Sequence, residues 1–525
     1  MFLHIVESGI QNTNLGFAAG TFRFLLVCKY WNEVAVSFPR LWRWCVSGAI
    51  KAWPLFNARS KDTPLSLTWR PMPKTPAGDF SVDPGISKRI RQLNFVGNSQ
   101  QLTCFLGAFD SNPPSNVSSM QLHIVPYDHR EPQGPLARFL SSSFPKLSQL
   151  DLWNFLPDSS SPIFTTSCLT LLRLYLPNCK KSRYTLPQFS QILQQHPNLQ
   201  KLDLSDGAIP LPGPPNTSVP FTLPRLVGLR LHGLEADISG FIDFIGLSSH
   251  LHDVTIRFSP DPGSSDLTLT ETVKKILVGY YECRGLDHPR KVNDFTVSYS
   301  PERAHLMLDA KSRSTLTSNP RSNLNLQFDA IFELAGVAMV KETLPLFPLN
   351  DVRVFTAEGP PIYGRLHNLQ IFRKMVHLSH LRLNKQDIFP ALLALSPNSG
   401  SFKISRNTYR FTHAHTGEQD QQIFPKLESL TLSDLDILFG YDEKLLGVLK
   451  GRRDCNIGLK KLFIHSCRVH RVEWKSELKK LVKGVKWQNV EAVGVDYEDT
   501  DDDCLVGRRG CGGLVVRRGG VWSCA

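Results

Sequence analysis

The sequence predicts an α/β solenoid, in which short parallel strands alternate with helices that return the chain to the next strand. Three observations predict it. A spacing of three apolar positions recurs along most of the chain, its copies stand a few tens of residues apart, and segments of helical period lie between them. Neither a short strand nor its helix can bury its apolar face alone, so the stacking of successive units has to supply the core.

The copies run in order. Ile90/Leu93/Phe95 and Val117/Met120/Leu122 come first, followed by Leu147/Leu150/Leu152, Leu169/Leu172/Leu174, Leu199/Leu202/Leu204, Leu226/Leu229/Leu231 and Leu251/Val254/Ile256. The pattern returns at Val292/Phe295/Val297, Val352/Phe355, Leu378/Leu381/Leu383, Leu427/Leu430/Leu432, Leu459/Leu462/Ile464 and Val490/Val493/Val495. First positions step by 27, 30, 22, 30, 27 and 25 residues up to Leu251, and by 32 and 31 from Leu427 to Val490. This L-x-x-L-x-L spacing is that of leucine-rich repeats, at the long end of their range. The fold class expected is therefore a leucine-rich-repeat solenoid, with strands on a concave face and helices on a convex one. The interval from Val292 to Val352 leaves room for two units, with Leu324/Leu326 as a poor intermediate copy. The polar stretch 397–422 reads as an inserted loop.

Helical spacing (i, i+3, i+4, i+7) is met by Leu102/Phe105/Leu106/Phe109, Ile238/Phe241/Ile242/Ile245 and Val273/Ile276/Leu277/Tyr280, with shorter cases at Phe189/Ile192/Leu193 and Leu445/Leu446/Leu449. The organisation expected is a helical segment over 1–48, a linker and first-repeat cap over 49–88, the repeat array over 89–497 and a disordered tail over 498–525, where Arg-Arg, Gly-Gly and Cys occur without periodicity.

In L-x-x-L-x-L the leucines point inward and the residues between them point to the concave face. That geometry selects Asp151, Trp153, Arg173, Tyr175, Asp203, Arg230, His232, Arg257 and Arg382 as substrate-binding candidates. Trp153, Tyr175, Arg173 and Arg230 stand out, because Trp, Tyr and Arg combine large contact area with a polar handle.

Composition narrows the functional class. The net charge of +13 comes from 60 basic and 47 acidic side chains, which read as spread along the chain. No basic stretch is read as interleaved with aromatics, so nucleic acid is not an expected partner. The 11 cysteines include no Cys-x-x-Cys pair and read as thiols of a reducing compartment, cytoplasmic or nuclear. No apolar run is long enough to cross a membrane. There is no phosphate-binding glycine loop, no G-x-S-x-G and no H-E-x-x-H, and His413/His415 lacks further metal ligands. No cofactor, metal or catalytic activity is expected.

The first 48 residues differ from the rest. Phe24 to Ala35 reads as an amphipathic helix with Val27, Trp31, Val34 and Ala35 on one face, stopped near Pro39 and followed by Leu41 and Trp42. This run resembles the second half of the F-box motif at Leu25, Val27, Cys28, Lys29, Trp31, Pro39, Leu41 and Trp42. Phe2, Ile5 and Val6 match the apolar face of that family's first helix. The chain begins downstream of the Leu-Pro pair that normally opens the motif, so the resemblance is to a shortened F-box. It implies adaptor contacts from Phe2, Ile5, Leu25, Val27, Cys28, Trp31, Pro39, Leu41 and Trp42. It further implies docking on a Skp-type adaptor within a cullin–RING (SCF-type) ubiquitin ligase, with the repeats holding an unknown protein substrate. A repeat scaffold without the ligase link is the alternative.

Overall fold

The computed structural model describes residues 28–46, 53–70, 82, 84–125, 135–140, 142–176, 183–211, 221–247, 251–259, 266–281, 291–300, 305–312, 322–329, 342–359, 371–385, 392, 394–396, 402–404, 411–413, 423–437, 441–469, 473–492, 515–518 and 521–524. The strands in chain order are β1 Trp44–Val46, β2 Leu65–Trp69, β3 Ile90–Gly97, β4 Ser119–Ile124, β5 Gln149–Trp153, β6 Leu171–Leu176, β7 Lys201–Asp206, β8 Gly228–Gly233, β9 Asp253–Phe258, β10 Asp294–Ser300, β11 His305–Ser312, β12 Ser322–Phe328, β13 Val354–Glu358 and β14 His380–Asn384. They continue with β15 Phe402–Ile404, β16 Phe411–His413, β17 Ser429–Ser433, β18 Asp436–Ile437, β19 Lys461–His465, β20 Arg468–Val469, β21 Gly484–Gln488, β22 Glu491–Ala492, β23 Val515–Arg518 and β24 Val521–Cys524.

Seventeen of these strands form one mostly parallel sheet in a solenoid-like α/β architecture. From β1 to β9 each strand pairs in parallel with the next in sequence. The run resumes from β13 through β14, β17 and β19 to β21. Between the two runs the order inverts. β9 pairs with β12, β12 with β11, β11 with β10, and β10 with β13. Only β11 runs antiparallel, so β10–β12 is a meander set crosswise into the array.

The local physics repeats from unit to unit. Many of the parallel strands are entered through a tight turn that buries the first apolar position. The N–H of Leu147 donates to Phe144 O (3.0 Å), and the same turn recurs at Leu199 to His196 (3.0 Å), Leu378 to Met375 (3.0 Å) and Leu427 to Phe424 (3.2 Å). The strand then alternates buried Leu, Ile, Val or Phe with more exposed residues. The exit uses a left-handed residue at one constant position: Asn154 (φ 69°), Asp206 (φ 51°), Gly359 (φ 91°), Lys385 (φ 56°), Asp434 (φ 52°), Ser466 (φ 52°) and Asn489 (φ 52°). Asn and Asp tolerate this region best after Gly, which accounts for much of that column.

Helices Ser99–Gly107, Leu186–Gln194, Glu235–Ile245, Asp266–Tyr281, Tyr441–Asp454 and Trp474–Leu481 fill the intervals where helical spacing was read and add one over Trp474–Leu481. Ser99–Gly107 and Leu186–Gln194 start with capping boxes from Asn98/Gln101 and Thr185/Gln188, which satisfy backbone N–H groups left open at a helix start. Their apolar sides join the strand leucines in one continuous core, as where Phe105 lies 5.4 Å from Phe95.

Several expectations need correction. The sheet begins earlier than 89, because β1 and β2 already pair with it. Trp44–Val46 therefore ties the end of the 1–48 segment into the array, and Leu65–Trp69 is a strand inside the expected linker. Leu324 and Leu326 do form a strand, but it stands beside β9 rather than between β10 and β13. The 397–422 insertion contains the paired strands β15 and β16, and the expected disordered tail contains the hairpin β23–β24. Among the described residues no helix is long and apolar enough to cross a membrane.

Candidate functional site

One face of the sheet packs on the helices and the other is open. On the open face the strand register lines side chains into rows. The central row reads Thr68, Asn94, Gln121, Asp151, Arg173, Asp203, Arg230 and Thr255 along β2–β9. It crosses the meander at Asn325, Asp309 and Thr296, and continues as Thr356, Arg382, Thr431, Phe463 and Lys486. The neighbouring row carries His123, Trp153, Tyr175, Ser205, His232 and Arg257. All nine substrate-binding candidates lie in these two rows.

The aromatic members stack. Trp153 lies 4.8 Å from His123 and 4.2 Å from Tyr175 between ring centroids. The Trp153 Nε1–H donates to Asp151 Oδ1 (2.6 Å), which fixes the indole with about a third of its surface exposed. Asp151 is buried, with His123 Nε2 and an Arg173 nitrogen each 3.7 Å away. It serves as the brace of the aromatic ladder rather than as a contact residue. Arg173 also reaches Asp203 (3.6 Å), and Arg230 reaches Asp253 (3.8 Å). Burial raises the Asp203 pKa above the ordinary carboxylate value, while Arg173 and Arg230 pull against that shift. Alternating signs on adjacent strands leave this half of the face nearly neutral but rich in donors and acceptors.

Beyond it lies a denser cluster. Asp329 accepts from Arg257 Nε (2.6 Å) and stands 2.9 Å from His305 Nδ1. Burial pushes its pKa up, but the Arg257 and His305 contacts outweigh that and hold it below the ordinary value. His232 sits between Asp206 (3.8 Å) and Asp329 (3.9 Å), with Ser259 Oγ 3.2 Å from its Nε2. Burial raises the Asp206 pKa against the pull of His232 and Arg257. Ser259, His232 and Asp206 have the residue types of a hydrolase triad. The 3.8 Å from His232 to Asp206 exceeds a hydrogen bond, so the imidazole is not oriented as a general base requires. The group is an ion-pair network that joins the ends of β7, β8 and β9 to the meander. Among the described residues no group of three or more His, Cys, Asp or Glu side chains is placed to hold a metal ion.

The far end of the face differs again. β14, β17, β19 and β21 present His380, Arg382 and Asn384; Ser429, Thr431 and Ser433; Lys461, Phe463 and His465; and Gly484, Lys486 and Gln488. No carboxylate stands among these twelve. Lys486 Nζ lies 5.6 Å from the Phe463 ring centroid. Residues 441–490 hold 13 Lys and Arg against five Asp and Glu, a net +8. The positive charge is therefore concentrated rather than spread evenly, and Lys475 (5.7 Å from the Trp487 ring centroid) and Lys486 interleave it with aromatics.

At the amino-terminal end, helix Lys29–Ser37 confirms a helix in the segment read as amphipathic. Cys28 is exposed and Pro39 half-buried. Leu41 and Trp42 are buried, with Trp42 against Phe56 (5.4 Å) and under the Arg59 guanidinium (4.4 Å). These two residues belong to the core of the array's first turn and are not open to an adaptor. Phe2, Ile5, Leu25 and Val27 lie outside the described residues, as does the Trp31 side chain.

Sequence reasoning missed His123, Asp206, His305, Asp329, Lys461, Phe463 and Lys486. Aligning the copies column by column would have found His123, since it occupies the Trp153 position one repeat earlier. Phe463 and Lys486 fall in the Arg382 column for the same reason. His305 and Asp329 flank strands whose neighbours only the fold reveals. No protein-family model matches this chain, and no curated protein matches it either.

Proposed function

We propose that this chain is a protein-recognition subunit whose repeat face holds a substrate and whose amino-terminal helix connects it to a Skp-type adaptor of an SCF-type ubiquitin ligase. The observation that carries the first half is the open face, where an ordered aromatic ladder is framed by braced charges along parallel strands. A leucine-rich-repeat horseshoe, with this face concave, is the form of solenoid that best fits the L-x-x-L-x-L spacing. No catalytic role is assigned to it.

The ligase half rests on the F-box resemblance and on helix Lys29–Ser37, around which Tyr30, Val36 and Phe38 are exposed apolar side chains. The scaffold alternative draws its support from Leu41 and Trp42, which the core has taken. The test is a pull-down of the full chain with purified Skp-type adaptor, beside the variant Val36→Asp/Phe38→Asp. Removing residues 1–48 outright would confuse the result, because Leu41, Trp42 and β1 belong to the array. Adaptor capture lost in the variant supports the ligase reading. No capture by the unaltered chain leaves a recognition scaffold.

A further inference from the structure

We propose that the β14–β21 end of the open face binds an acidic, Asp/Glu-rich protein segment in extended form, which would make such a segment part of the substrate that the recognition reading requires. The inference rests on that reading for its biological meaning, though not for its chemistry.

The argument starts from charge. Arg382, Lys461 and Lys486 are exposed on β14, β19 and β21, the last two adjacent, and none of the twelve open-face positions there carries an acid. Among the described residues neither Arg382 nor Lys486 has a carboxylate within ion-pair distance, whereas Arg173, Arg230 and Arg257 in the other half are all paired. Among the described residues Arg382 and Lys486 are thus left without an ion-pair partner, while Glu428, paired with Lys460, also acts on Lys461. Like charges held on adjacent strands are unfavourable until an anion arrives.

Spacing then selects the anion. Strands stand about 4.8 Å apart, so Arg382 and Lys486, three strands apart, are separated by roughly 14 Å at the backbone. Lys461 lies one strand and one row from Lys486. Cations dispersed in this way match a series of carboxylates better than one concentrated phosphate, which calls for converging arginines. Alternate side chains of an extended peptide repeat about every 7 Å, close to the pitch needed. Thr431, Ser433, Asn384 and Gln488 supply donors for its backbone. A single aromatic, Phe463, does not make the succession of stacking surfaces that a nucleic-acid strand uses.

The test is fluorescence anisotropy of the full chain with a labelled 12-residue Asp/Glu-rich peptide, a neutral peptide of equal length and a 12-nucleotide single-stranded RNA. The acidic peptide should bind, more weakly as salt rises. Lys461→Glu/Lys486→Glu should lower that affinity about tenfold or more. Lys479→Glu/Lys480→Glu, an equal charge change on the exposed side of helix Trp474–Leu481, should change it less than twofold. Circular dichroism checks that both variants fold. Equal losses in the two variants, no preference over the neutral peptide, or tighter binding of RNA would each overturn the proposal. The adaptor pull-down reads the ligase assignment separately, so either can fail alone.

Discussion

Arg452 should be a strong single determinant of stability in the carboxy-terminal part of the array. Its side chain is fully buried, and its guanidinium donates to Leu395 O (3.3 Å) and Phe424 O (3.0 Å). Those two carbonyls flank the insertion 397–422, so one side chain fixes both ends of it. Burial pushes the Arg452 pKa down to about 10, well below its usual value but far above neutrality, so the group remains charged. In Arg452→Ala both charged hydrogen bonds vanish, two carbonyls are stranded and a cavity opens. At about 1–3 kcal/mol per stranded group plus the cavity, the cost is about 4 kcal/mol. Arg452→Met keeps the bulk and removes the desolvation of a buried charge, so it should cost about half as much. With about 2 cal/mol/K per residue the unfolding entropy is about 1.1 kcal/mol/K, which makes 4 kcal/mol a drop in Tm of about 4 °C. Thermal melting followed by circular dichroism measures it, and hydrogen exchange should show lost protection in β17 and at Phe424. Unchanged Tm with unchanged exchange there in the Ala variant, or Met worse than Ala, would refute the reasoning.

Four further outcomes are expected. His196 fills the entry-turn position held by Phe144, Met375 and Phe424 in other units, and burial lowers its pKa to about 4 against a weaker upward pull from the Thr166 backbone. The fold holds it neutral, so its contribution is complete above pH 6.5 and is lost as pH falls from there toward 4. At pH 4.5 the loss is about 2–3 kcal/mol, and His196→Leu should flatten this part of the stability–pH curve in urea titrations. Gly359→Ala should sharply reduce soluble yield and Tm, since a Cβ there would overlap the Tyr299 carbonyl oxygen at a φ of +91°. Lys385→Gly, at φ 56°, should by contrast raise stability by about 0.5 kcal/mol in chemical denaturation. Trp153→Ala with Tyr175→Ala should abolish capture of the protein partner while leaving the circular dichroism spectrum intact.

The copy read at Val490/Val493/Val495 was misplaced, because the strand that follows β19 in the sheet is Gly484–Gln488, which sets Val485 opposite Leu462 and Trp487 opposite Ile464. The repeat units before it and their helices were legible because many of the parallel strands keep one entry turn and one alternation, so the same arithmetic applies from Ile90 to Leu459. The early strands were not. Leu65, Leu67 and Trp69 alternate correctly, but Leu67 and Trp69 match Leu93 and Phe95, and Pro64 stands three residues before Leu67 where the first apolar position should be. The meander escaped for a different reason. β11 is an antiparallel return strand and needs no entry turn, and nothing local says that Leu324 will seek Val254 rather than Phe295. Within the candidate site, position on the open face could be read from alternation alone. Asp151 braces Trp153 from two residues away, but the stacking of Trp153 on His123 and Tyr175 and the neutrality of one half of the face depend on neighbours about twenty to thirty residues away in sequence. The cationic end was hidden by averaging charge over the whole chain.

The inverted meander also bears on the order in which the protein can assemble during synthesis. When β9 has left the ribosome its free edge has no partner, because the strand that covers it, β12, begins 64 residues later. At about 5–20 residues per second that edge waits for roughly 3 to 13 s. β10 emerges first but belongs two places farther along, and it is joined to β9 only through strands not yet made. A nascent chain halted between Asp294 and Ser312 therefore presents an open row of backbone donors and acceptors, which is where mispairing with a second chain should concentrate.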